Sequence, residues 1–348
     1  MSAVDIFREL TSVPTAPFFE EAVTAKALGW LRRHGVSFTR KRGGVIARYV
    51  GLPGAPALAF AAHLDHPAFW LSHVTAKGAV GHLDGGLPPH LLAGAHVEAF
   101  GARPKNNRPL GRGVLGKGDT KNRWPILWDA PLTGKASFAT LALPACELES
   151  GWLKSRSIDD LLGCAVSLEA LRLAAAQKLK TNVTVLLHRA EEVGFVGALD
   201  LIAQGAVSTD DTVLSIESSR EMKGARPGKG PVIRLGDKAC LFDPNATALL
   251  DEAAKGLQTQ RLRLTGGTCE ATAYLAFGYE AGGVAVPLVN YHNGWGADAV
   301  AAEKVRLSDV EGATALLLAA AKAFPSQLRR GGMRRRLSER LKKARIRL

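Results

Sequence analysis

Val183, Val185, Leu186 and Leu187 lie in one almost unbroken apolar run, and no other stretch constrains the fold as tightly. A strand with apolar side chains on both faces must be covered on both faces, the condition met inside a parallel sheet flanked by helices. The run continues through His188 to two adjacent glutamates, Glu191 and Glu192, followed by Gly194 and Gly197. In open α/β sheets ligands gather outside the carboxyl ends of the strands, so the pair stands where chemistry is done. Two readings are open from these residues alone. The pair is a solvated acidic turn entering a helix, where carboxylates favour the helix dipole, or one glutamate holds a metal while the other moves a proton.

The remaining chain alternates strands with helices. Helical spacing of apolar residues predicts helices over 4–10, 20–34, 161–177, 245–256 and 310–324, with a further one after Gly197. A strand pair is expected over 36–49 around Gly43 and Gly44, and short apolar strands over 57–62, 212–216 and 285–289. Residues 67–150 are richer in Gly and Pro and lack helical periodicity, as a small β-rich insert would. The expected fold class is therefore α/β: a mixed, largely parallel sheet sandwiched by helices and formed by residues 1–66 and 151–324. Residues 67–150 interrupt it, and a tail over 325–348 follows.

Hydrophobic residues make up 47% of the 348 and charged residues 22%, which excludes a wholly disordered chain. No apolar run is long enough to span a bilayer, and the N-terminus lacks a basic-then-apolar leader pattern, so a cytoplasmic protein is expected. Cys146, Cys164, Cys240 and Cys269 are scattered without a CxxC, which argues against a disulfide framework or a thiolate zinc site. Of the net charge of +13, the tail supplies +9, from ten Arg or Lys against Glu339. The body is only mildly basic. Three readings of the tail are open: a solvated terminus, an amphipathic helix with Leu337, Leu341 and Ala344 on one face, or a salt-sensitive contact with nucleic acid or an anionic surface.

Several expected strands lead into a metal-ligating side chain: residues 57–62 into His63 and Asp65, 183–187 into Glu191 and Glu192, 212–216 into Glu217, and 285–289 into His292. Asp159 and Asp160 precede a helix. Two imidazoles and several carboxylates form a mixed N/O donor set that suits Zn²⁺, Co²⁺ or Mn²⁺, and a bridging carboxylate lets such a set hold two ions. Two ions would polarise a carbonyl and acidify a shared water, leaving a free carboxylate to shuttle protons.

His63-x-Asp65, Ser157-Ile158-Asp159-Asp160, Glu191-Glu192-Val193-Gly194, Gly266-Gly267-Thr268 and the segment from Val286-Pro287 to His292 occur in the order seen in a known family. In them the chain resembles the TET-type dinuclear metalloaminopeptidases, family 42 of the metallopeptidases, from the first helices to about Phe324 and including the insert. The resemblance implies two divalent metal ions held by His63, Asp159, Glu192, Glu217 and His292, with Asp159 bridging. It makes Glu191 the general base, and has Asp65 hydrogen-bond the distal nitrogen of His63. It also implies a cis peptide between Asp159 and Asp160, a peptide substrate cut at its N-terminus, and assembly into homo-oligomers.

Four departures bear on substrate. Glu217 stands where the family has an aspartate, as in related carboxypeptidases and deacylases; Cys269 stands where an acid is usual, with Glu270 next; Arg189 and His66 are additions. The alternatives are thus a deacylase or carboxypeptidase-like amidohydrolase on the same site, and a non-catalytic peptidase fold whose tail binds nucleic acid. His66, His73, His82, His90, His96 and His188 are expected to be structural or at the surface. Cys269 reads as a small buried residue, and Gly-Gly-Thr as a tight loop without the lysine of a phosphate-binding loop.

Overall fold

The structure is a computed structural model that describes residues 2–330 and 333–347. Its centre is an eight-stranded sheet. In spatial order the strands are Ser37–Lys41, Gly44–Val50, Asn182–His188, Ala57–His63, Thr212–Arg220, Glu280–Leu288, Val232–Arg234 and Gln260–Leu262. The four middle strands, Asn182–His188 to Glu280–Leu288, are mutually parallel, so their carboxyl ends share one edge. Asn182–His188 is buried along its whole length, as its apolar run requires.

Alternation along the strands divides the interior in two. Leu58, Phe60 and Ala62 point into a large core shared with helices Ala3–Leu10, Glu21–Arg33, Ile158–Ala176, Pro244–Ala253 and Leu307–Arg330. Ala59 and Ala61 point the other way, into a smaller core with helices Val196–Ala203 and Glu270–Ala276. The sheet is therefore sandwiched by helices, and its mixed character comes from its edges. The hairpin of Ser37–Lys41 and Gly44–Val50 runs antiparallel to Asn182–His188, and Val232–Arg234 runs antiparallel to Glu280–Leu288.

Between the strand ending at His63 and the helix starting at Ile158, six antiparallel strands close into a small barrel: Ala68–Ser72, Gly78–Asp84, Arg123–Trp128, Gly111–Leu115, His96–Phe100 and Phe138–Leu141. Arg123–Trp128 alternates cleanly, with Trp124, Ile126 and Trp128 inside and Arg123, Pro125 and Leu127 outside. A separate three-stranded sheet, Glu147–Glu149, Trp152–Ser155 and Glu303–Arg306, ties the chain leaving the barrel to the body.

Three elements extend beyond their expected bounds. Thr212–Arg220 runs past Glu217, which therefore sits within a strand rather than after one. Glu280–Leu288 begins five residues early, because Gly282 and Gly283 interrupt its apolar pattern. The last helix of the body runs through Pro325 to Arg330. Beyond it, Met333–Ala344 is a second helix with Leu337 and Leu341 exposed; residues 331, 332 and 348 of the tail lie outside the described residues. Among the described residues no helix is long and apolar enough to cross a membrane.

Candidate metal centre

The carboxyl edge of the parallel strands brings His63, Asp159, Glu191, Glu192, Glu217 and His292 together, in groups whose ligand atoms lie within 4.8 Å of one another. His63 ends its strand and is buried. Its Nε2 is 3.5 Å from Asp159 Oδ1 and 3.7 Å from Glu191 Oε2. His292 Nε2 lies 3.3 Å from Asp159 Oδ2 and 3.3 Å from Glu192 Oε1. The two oxygens of Asp159 thus face different imidazoles. Asp159 Oδ1, Glu192 Oε1 and Glu217 Oε1 are buried without a hydrogen-bond partner among the described residues. Orphaned buried acceptors are costly, and three converging ones with two imidazoles form a donor set that fits divalent cations.

The electrostatics follow from crowding. Burial pushes Glu191 well above the usual carboxylate range, and the charges of Glu192, Glu270 and Asp65 push it further. Glu217 rises for the same reason, through burial and then Glu270 and Asp159. Burial alone would lower His63 and His292, but the surrounding carboxylates carry both well above the ordinary imidazole value. Asp159 moves the other way: the two histidines that face its oxygens overcome its burial.

The backbone beneath these side chains is braced by buried carboxylates. The Asp65 carboxylate accepts the N–H groups of Glu191 and Glu192 at 2.9 and 3.0 Å; its Oδ1 also lies 3.6 Å from His63 Nδ1, which faces the Asp65 backbone carbonyl at 3.1 Å. The glutamate pair leaves its strand with two free N–H groups, and Asp65 satisfies both. Glu303 does the equivalent on the other side: one oxygen accepts from Ile158 N and Asp159 N, the other from His292 N at 2.9 Å. A third brace, Glu20, accepts Ala190 N–H at 2.9 Å and is paired with Arg189 at 2.8 Å, so Arg189 points away from the cluster. Neither Glu303 nor Glu20 carries a sequence signal, since each is a lone acid in an ordinary element.

Local geometry is specialised at the same places. The peptide between Asp159 and Asp160 is cis. His292 has φ of 48° and follows Asn290 at 58°, so a short left-handed turn presents the imidazole. Gly197 starts the helix after the glutamate pair, where a Cβ would lie 2.4 Å from both Arg189 O and Gly43 O. The barrel also reaches the site: Gly86 O faces His292 Nδ1 at 3.1 Å and accepts from Trp295 Nε1 at 2.7 Å.

The added histidine, His66, lies between the carbonyl of Asp159 and the side chain of Asn293, and so also supports the cluster. His188 is buried between Glu270 and Tyr274, at 3.3 and 2.9 Å. Glu270 also accepts from Ser215 Oγ at 2.8 Å. Burial would raise Glu270, but its hydrogen bond and charge interaction with His188 hold it near about 2. Cys269 is fully buried, and burial lifts its thiol to about 11, so it stays protonated and unreactive.

The model of the M42 glutamyl aminopeptidase family matches residues 135–312, just over half of the chain. The chain belongs to that family. The solved aminopeptidase of Desulfurococcus kamchatkensis superposes on this M42 chain with a TM-score of 0.77 at 21% identity, covering 92% of this chain and 94% of the other. The Pyrococcus horikoshii TET1 peptidase, which can assemble into a tetrahedron or a large octahedral shell, gives 0.74 at 20% identity, with 92% and 99% covered. These likenesses establish a shared fold. A curated relative, an aminopeptidase candidate of Acetivibrio thermocellus, is 24% identical over 181 residues, which span 50% of this M42 chain and 52% of the relative.

Proposed function

We propose that this M42 chain is a two-metal aminopeptidase that removes N-terminal residues from peptides. In this reading His63, Asp159, Glu192, Glu217 and His292 would hold two divalent transition-metal ions, Zn²⁺, Co²⁺ or Mn²⁺. The observation that carries it is the division of Asp159, one oxygen toward His63 and the other toward His292, with its buried Oδ1 otherwise unpartnered. Bound ions of this kind act as Lewis acids on a peptide carbonyl and acidify water. The chain's own contribution to proton transfer is Glu191, whose Oε2 stands at the edge of the cluster and whose affinity for protons is raised by burial. It takes the proton of the attacking water and returns it to the leaving amine. Asp65 holds Glu191 and Glu192 at their backbones, so the base and its neighbour keep a fixed spacing.

Assembly into a homo-oligomer is part of the proposal, by analogy with the TET1 peptidase. The discontinuous body of residues 1–66 and 151–324 would carry the chemistry, with the barrel over the cleft. Glu217, one methylene longer than the family's aspartate, supports a second reading in which the same centre serves a carboxypeptidase-like amidohydrolase.

Metal analysis of purified protein should find up to two transition-metal ions per chain, and a chelator should abolish amide hydrolysis. Glu191→Gln should retain the metal and lose about 10²–10⁴-fold in kcat. Full activity in that variant would remove Glu191 from the mechanism. Free-amine and N-acylated substrates run side by side separate the two readings.

A further inference from the structure

Beside the cluster lies a cavity of about 600 Å³, lined in part by Glu217, His292, Arg220 and Arg234, and it belongs to that site. The largest concentration of charge that the site leaves unused is in the tail. Of the net +13, residues 325–348 carry +9, from ten Lys or Arg against the one acid Glu339. Like charges at this density repel one another, so a helix that carries them is stabilised by an anionic partner.

Met333–Ala344 is helical, and every residue from Arg336 to Arg347 is exposed. Leu337 and Leu341 are 52% and 55% exposed, so their apolar surface faces water. At about 100° per residue, Leu337, Leu341 and Ala344 fall on one stripe of the helix. Arg336, Arg340 and Lys343 repeat the same spacing one position earlier and form a parallel stripe on one flank, and Lys342 lies toward the other. Glu339 falls on the side opposite the leucines. The face is thus apolar in the middle and cationic at its flanks, with the acid turned away.

Two kinds of partner fit this face poorly. A second copy would bring a like-charged helix against it. Nucleic acid satisfies the cations through its phosphates but leaves the leucine stripe exposed, and residues 325–348 hold no aromatic ring to stack on bases. A bilayer with anionic headgroups satisfies both features. Its phosphates take the cations, and the leucines enter the boundary between headgroups and acyl chains.

We propose that the helix Met333–Ala344 lies flat on anionic lipid surfaces with Leu337 and Leu341 inward, and so brings the peptidase body to them. Attachment of this kind is peripheral and reversible, unlike that of a spanning helix.

The test is co-sedimentation of the full chain with vesicles of phosphatidylcholine alone and of equal parts phosphatidylcholine and phosphatidylglycerol. Binding to the anionic vesicles should be at least about 10-fold tighter and should weaken as salt is raised. Leu337→Gln with Leu341→Gln keeps every charge and the helix propensity, and should weaken vesicle binding about 10-fold or more. Leu337→Met with Leu341→Met keeps the apolar surface and should retain binding. Removal of residues 331–348 should abolish binding and leave the melting temperature of the body unchanged. Equal binding to the two kinds of vesicle overturns the proposal, as does anionic binding that the paired Gln substitutions leave intact. Binding to duplex DNA or single-stranded RNA that exceeds vesicle binding and ignores the leucines assigns the tail to nucleic acid instead.

Discussion

The metal cluster and the cavity beside it share Glu217 and His292, yet they pose opposite electrostatic problems. In the cluster, buried oxygens of Asp159, Glu192 and Glu217 stand unpartnered among further acids. In the cavity the unpartnered buried group is a cation, Arg234. Burial disfavours the charge in both places, and neighbours of opposite sign overcome it: His292 and His63 for Asp159, acidic groups that include Glu217 and Asp237 for Arg234. One strand, Thr212–Arg220, contributes to both, with Glu217 in the cluster and Arg220 at the cavity rim.

The comparison can be broken at either end. The largest effect is expected from His292→Ala, which removes one of the two imidazoles facing Asp159; metal content should fall and hydrolysis should drop at least about 10³-fold, read by elemental analysis and turnover. Glu303→Gln keeps the shape of the brace but removes its charge, and should weaken metal affinity about 10–100-fold, measured by competition with a chelating dye. The smallest effect is expected from Gly283→Ala. Its new Cβ crowds Phe242 and Arg234, which should cost about 1–3 kcal/mol and lower the melting temperature by several degrees.

Much of this arrangement is written into local sequence. The strand before Glu191 is legible because both of its faces are apolar, and the interruption by a β-rich segment is legible from its glycines and prolines. The residues of the cluster are also visible, because each follows an apolar strand or opens a helix and several come in pairs. What escapes the sequence is everything that depends on register. Arg234 sits in a three-residue strand with no pattern of its own, and its meaning appears only when Gly283 is found opposite. Glu303 braces segments more than a hundred residues apart in sequence, and nothing around it announces that it will accept the N–H groups of both. Asp65 is legible as part of the site beside His63 Nδ1, but the sequence does not announce that the same carboxylate accepts the backbone N–H groups of the glutamate pair. The early start of Glu280–Leu288 was hidden by the same glycine that makes room for Arg234.

The central claim is that Asp159 is shared between two metal ions, and the most direct measurement is the metal stoichiometry of the purified wild type and Asp159→Asn, with anomalous scattering to locate the ions. Two ions per chain in the wild type, flanking Asp159, with one or none in the variant, is the expected result. A wild type with no bound ion near Asp159 under saturating metal, or a variant that keeps both, would contradict it.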